Sequence, residues 1–109
     1  MWILIAWAAW WALSFITPIK LKSAWLIPKR FAGFAFAPFI GYSKIEYVQA
    51  EWFLKHEMEH IKQQRVLSPL LFFIIYYIEY IWNLAQGMNS FDAYYSIGFE
   101  VMARRAEKE

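Results

Sequence analysis

Residues 56–60 read HEMEH and contain both histidines of the chain. On an α-helix, side chains four apart share a face, so His56 and His60 can offer two imidazole nitrogens to one metal ion. Glu57 lies one step round the cylinder, near such an ion without ligating it. A carboxylate there can take a proton from water and pass it to a leaving amine, the work of the general base in a metal-dependent peptidase. Catalytic zinc keeps three protein ligands and leaves its fourth position to water, whose pKa falls toward about 7. A third ligand is therefore needed. The chain has no cysteine, which excludes thiolate metal sites, disulfides and a Cys nucleophile; the ligand must be a carboxylate. Glu46 and Glu51 share the helix of HEMEH, Glu59 points off its face because each residue turns about 100°, and Glu107 and Glu109 fall in a tail expected to fray. Glu79 and Glu100 stay open as candidates. Each lies among apolar residues where an unpaired carboxylate is costly, and a metal ion would be a partner.

Three helices are expected to position these groups. Ser43 with Glu46 three residues on has the pattern of a capping box, so a helix is expected from about Lys44 to Leu67, with Ile45, Val48, Trp52, Phe53, Met58, Ile61 and Val66 as its apolar stripe. Ser68-Pro69 fits an N-cap followed by proline in the first turn, and the second helix runs to a C-terminal Gly87. Its apolar run is broken by Glu79, which favours a core or membrane-facing helix over a spanning one. Asn89-Ser90 offers the next cap, and Phe91 to Lys108 reads as the third helix, with Arg104 and Arg105 near its negative end. Before HEMEH, Lys29 to Tyr42 alternates aromatic and small residues up to Pro38 and Gly41, which reads as an extended edge segment.

In front of these, residues 1–19 carry no charged side chain. As one helix they would reach roughly 28 Å, against about 30 Å for a bilayer's hydrocarbon core. Trp7, Trp10, Trp11 and Trp25 suit an interfacial belt, and Lys20 and Lys22 could snorkel to headgroups. Lysines following the apolar run favour a cytoplasmic C-terminal part. Residues 1–40 hold four basic side chains and no acid; beside a hydrophobic anchor they suit anionic lipid better than nucleic acid. Composition agrees, with 61% hydrophobic and 22% aromatic residues against about 45–50% apolar in soluble domains. A di-iron carboxylate bundle fails on histidine count, since it needs two Glu-x-x-His motifs.

His56, Glu57, His60 and Gln63 match HExxHxxQ, and Phe99, Glu100 and Ala103 match a downstream phrase FExEA. In these residues the chain resembles the small gluzincin-type zinc metallopeptidases, in which HExxH is joined by a later Glu; Met102 departs from the pattern at its second acid. The resemblance implies Glu100 as the third zinc ligand, with Glu79 the alternative, and a substrate peptide laid as an added strand along Phe31–Ile40, beside Phe31, Phe34 and Phe36. Gln63 is expected beside the ligands or in solvent, and Tyr94 and Tyr95 could stabilise an oxyanion.

The expected fold is thus mainly α. Residues 1–19 form an anchor or interfacial helix, and residues 20–109 hold a short extended β edge segment and three helices in a minimal zincin-like arrangement. The expected function is a membrane-associated zinc metallopeptidase acting on peptides. The alternative is a non-catalytic hydrophobic subunit of a membrane complex or viral particle, with a structural or vestigial Zn²⁺ site.

Overall fold

The computed structural model describes residues 1–22 and 33–109. Phe31, Trp25, Lys29 and Arg30, singled out above, lie outside the described residues.

The protein is mainly helical with one small sheet. The first helix, α1 (Trp2–Leu13), is 12 residues long, about 18 Å at 1.5 Å per residue. The 19-residue apolar run is therefore not one helix. It ends where Ser14 donates its hydroxyl to Trp11 O, ahead of Pro18, whose ring disfavours helical backbone in the residue before it. Among the described residues no single helix is long and apolar enough to cross a membrane. The tryptophans of α1 face the protein as well as its surroundings: the indole N–H of Trp7 donates to Ser68 Oγ (2.8 Å), that of Trp10 to Ala37 O (2.7 Å) and that of Trp11 to Arg65 O (2.8 Å). Arg65 in turn donates to Ser14 O and Ile16 O.

Three strands follow, β1 (Ile19–Lys22), β2 (Gly33–Phe36) and β3 (Phe39–Tyr42), in the order β1-β3-β2. β1 runs parallel to β3, with Ile19 opposite Phe39; β2 runs antiparallel, with Ala35 opposite Ile40. The expected extended segment is thus a hairpin, and its first arm, β2, is a sheet edge. β1, made from the lysines read as snorkelling, has no counterpart in the sequence reading: two alternations are too short to announce a strand. Ile40, Ala35 and Ala37 form the core with Phe53 and Ile61.

Helix α2 (Ile45–Val48) is a single turn, and α3 (Glu51–Leu67) starts anew after Ala50, whose backbone is extended. The continuous helix from Lys44 is therefore interrupted, and α2 begins after Lys44 without a side-chain cap. The break lets Tyr47 fold back onto Trp52 and Phe53, its ring centroid 6.1 and 6.2 Å from theirs. α4 (Pro69–Ala85) follows at 111° to α3; Ser68 accepts from Leu71 N as the expected N-cap, and Gly87 takes positive φ after the helix, as expected.

The third expected helix is also two, α5 (Ser90–Tyr95), capped by Asn89, and α6 (Gly98–Ala106). Between them Ile97 is extended and fully buried. The cause is Glu79: its Oε1 accepts the Gly98 N–H at 2.8 Å, so a carboxylate on α4 receives one of the orphan donors at the start of α6. Asn83 fastens α5 to α4 by donating to Ala93 O.

Candidate functional site

The buried face of α3 carries Phe53, Glu57, His60, Ile61 and Gln64, spaced at three and four residues as one helical stripe. Polar groups share this stripe with the core residues, and each needs a partner there. Gln64 has its partners in the sheet, taking the Ala37 N–H at 2.8 Å and donating to Ala35 O at 3.0 Å. This end of β2 is therefore already paired, and Phe36 is occupied by ring contacts with Trp10 (4.8 Å) and Phe73 (5.5 Å). Among the described residues of the expected substrate strand, Gly33, Phe34 and Ala35 line the site. Gly33 is required there, because a Cβ would stand 2.6 Å from the Phe53 ring and closer still to Gly41 O.

His56 and His60 project together from α3, and Glu100, in the first turn of α6, lies between them. His56 Nε2 is 3.0 Å from Glu100 Oε1, and His60 Nε2 is 3.0 Å from Glu100 Oε2. The three groups can hold a metal ion, their candidate ligand atoms lying within 4.8 Å of one another. Donors about 2.0–2.1 Å from a tetrahedral ion stand about 3.3 Å apart, so little movement would be needed. His60 Nε2 is close to Glu100 but off the hydrogen-bond line, and it has no hydrogen-bond partner although it is buried. A buried imidazole nitrogen with its lone pair unclaimed suits a metal ligand.

The remaining ring nitrogens are held from outside. His60 Nδ1 lies 3.0 Å from Gln63 Oε1, and Gln63 donates to Phe99 O. His56 Nδ1 lies 2.7 Å from Glu107 Oε2. In the neutral tautomers each Nδ1–H donates outward and each Nε2 is left as a ligand, the arrangement in which outer groups orient metal-binding histidines. Gln63 thus sits beside the ligands. Glu107 corrects the expectation of a frayed tail: α6 reaches Ala106 and brings Glu107 to His56. Its seven-residue spacing from Glu100, two helical turns on one face, was the signal that could have found it. Met102, where the FExEA pattern has its second acid, is exposed. Glu79, the alternative ligand, lies outside the cluster, at Gly98.

Glu57 is buried, and its Oε2 has no hydrogen-bond partner. Burial raises its pKa to about 7, against the lowering pull of His60 and His56. Burial alone would raise Glu100 as well, but the hydrogen bond from His56 and the nearby His60 imidazole outweigh it and hold this carboxyl well below its ordinary range. For His56 burial works downward and is overcome by the Glu100 and Glu107 carboxylates, which lift it to about 9. His60 is raised by the same opposition, burial against Glu100.

Two tyrosines reach Glu100. Tyr94 donates to Oε1 at 3.3 Å, and Tyr76, on α4, donates to Oε2 at 2.7 Å. Burial and the Glu100 charge push both phenols upward, so they stay protonated donors. Tyr95 does not join them. It stacks on Phe91 and lies under the Arg104 guanidinium, 3.5 Å from its ring centroid. The sequence reading does not single out Tyr76, because one of the chain's seven tyrosines, set in a greasy helix, carries no distinguishing signal.

Cavities open on both sides of this centre. One, of about 360 Å³, is lined by Trp52, Tyr95 and Arg104, the other, of about 330 Å³, by Phe34, Phe72 and Phe73; His56, Glu57, Gly33 and Tyr94 line both. No protein-family model, curated protein or solved structure matches the chain.

Proposed function

We propose that the protein is a membrane-associated zinc metallopeptidase, in keeping with its resemblance to the gluzincin type. The observation that carries this reading is the meeting of His56, His60 and Glu100 from two helices, with the buried Glu57, whose Oε2 has no hydrogen-bond partner, beside them and two cavities adjoining. His56, His60 and Glu100 hold the zinc ion, which when bound supplies Lewis acidity and lowers the pKa of a water toward about 7. Glu57 accepts a proton from the attacking water and delivers it to the leaving amine. A carboxyl lifted to about 7 suits both halves of that task, because a general base works best with its pKa near the operating pH. Tyr94, whose bond to Glu100 Oε1 is long at 3.3 Å, would turn its hydroxyl from that oxygen to a developing oxyanion. The peptide lies past Gly33 and Phe34, across the two cavities.

Association with a membrane surface is supported by the apolar side chains that α1 and α4 leave exposed, among them Trp2, Ile3, Tyr77, Ile78 and Trp82. Lys20 and Lys22, exposed on β1, would meet anionic headgroups. The same apolar surface favours a second reading, a non-catalytic subunit buried in a larger assembly. A structural metal needs a fourth protein ligand, and Glu79, the other candidate carboxylate, is engaged at Gly98.

Cleavage of a generic peptide by zinc-loaded wild type, alongside Glu57→Gln, separates the two. The peptidase reading expects turnover in the wild type and its loss in a variant that still carries zinc. Equal turnover by both proteins, or none by zinc-loaded wild type, would sink it.

A further inference from the structure

Glu100 has two oxygens, and each lies 3.0 Å from an imidazole nitrogen. A carboxylate so placed can meet a metal with one oxygen or with both, and the outcome decides whether the ion keeps a position free of protein. We propose that Tyr76 makes this choice: it is a positioning residue that reserves Oε2, so that Glu100 ligates through Oε1 alone. The proposal rests on the metal-binding reading above and adds a residue to it.

The two phenols on Glu100 are unequal. Tyr76 donates to Oε2 at 2.7 Å, Tyr94 to Oε1 at 3.3 Å, and a hydroxyl on a carboxylate near 2.7 Å is a strong, charge-assisted bond. The donor is also held firmly. The Tyr76 ring lies 5.6 Å from that of Phe72, which is buried and stacks at 4.7 Å on Phe99, the neighbour of Glu100. The hydroxyl and the carboxylate it restrains are thus set by one aromatic stack joining α4 to α6. Oε1, whose phenol bond is the longer, faces His56 Nε2 at 3.0 Å, and an ion that takes that nitrogen meets this oxygen first. Two nitrogens and one oxygen leave a tetrahedral ion open at its fourth position, whereas chelation by both oxygens would fill it.

The test is Tyr76→Phe, which keeps the ring and removes only the hydroxyl. Zinc affinity is measured by competition with a chromophoric chelator, and coordination is read from the visible spectrum of the cobalt-substituted protein and from X-ray absorption at zinc. The expected wild type is four-coordinate; the variant shifts to a five-coordinate, weaker cobalt spectrum and binds zinc about 10- to 100-fold less tightly, the usual effect of losing an outer partner. Matching spectra and affinities in the two proteins would overturn the role of Tyr76 and leave the metal centre standing. A wild type that binds no zinc would overturn both. Should the variant fail to fold by circular dichroism, 3-fluorotyrosine placed at position 76 of the otherwise native chain gives a second readout. Its fluorine resonance is expected to move on zinc loading, and a resonance that stays put would contradict the proposal.

Discussion

His56 and Glu57 face opposite consequences of the same burial, and this sets how the metal-free protein responds to pH. Glu57 is raised from an ordinary 4.5 to about 7. Between those values the folded chain holds a proton that the unfolded chain has lost, so stability falls as pH rises through that window. His56 is raised from 6.5 to about 9; its contribution is complete below pH 6.5 and is lost as pH climbs through 9. Glu100 is lowered, so its contribution is present above its unfolded value and disappears as pH falls below it. Thermal melts of the metal-free protein should therefore peak near pH 5 and decline to either side. A melting temperature that climbs steadily from pH 5 to 9 would contradict these assignments. Zinc competes with the protons on His56 and His60, so its affinity should strengthen over the same rise. Glu107→Gln, which weakens the acceptor on His56 Nδ1, should reduce zinc affinity about 10-fold or more, measurable by chelator competition. The pairing of His56 with His60 was legible because two histidines at one helical spacing need no tertiary information. Glu107 was legible only in its spacing from Glu100, and Tyr76 not at all, because its place depends on how α4 crosses α3.

Two residues hold the elements in place for that crossing. Gln64 is fully buried, accepts from Ala37 N–H and donates to Ala35 O. Gln64→Leu leaves two backbone groups of the hairpin unpaired, and each buried orphan costs about 1–3 kcal/mol. Chemical denaturation should show a loss of about 2 kcal/mol or more, and a variant as stable as wild type would mean the hairpin does not depend on α3. Glu79→Ala removes the acceptor for Gly98 N–H and should cost about 1 kcal/mol, as lost N-caps do. It should also weaken zinc binding, because Glu100 is in the first turn of α6. Helix existence and type were readable from apolar period and from the Ser68 and Asn89 caps. The breaks at Ala50 and Ile97 were not: across the first Tyr47 packs on Trp52 and Phe53, and beside the second Gly98 N–H donates to Glu79 on α4, contacts that the apolar period does not announce. The hairpin was half readable, its alternation visible but not the pairing with β1, whose four residues carry too short a pattern.

For the molecule as a whole, α1 and the outer side of α4 present apolar side chains outward while the site opens between β2, α3 and α6. The apolar surface bears on where the protein works. Vesicles rich in anionic lipid should sediment the protein, and Ile78→Glu with Trp82→Glu should release it; protein that stays in the supernatant in both cases would argue against a membrane surface. The His56, His60 and Glu100 cluster bears on what it does, and it joins α3 to α6. Calorimetric titration of metal-free protein with zinc at pH 8 tests it most directly. One ion bound per wild-type chain, with binding lost in His60→Ala and in Glu100→Ala proteins that remain folded, is the result expected from the convergence of α3 and α6. Undiminished binding in those two variants, or none in the wild type, would contradict it.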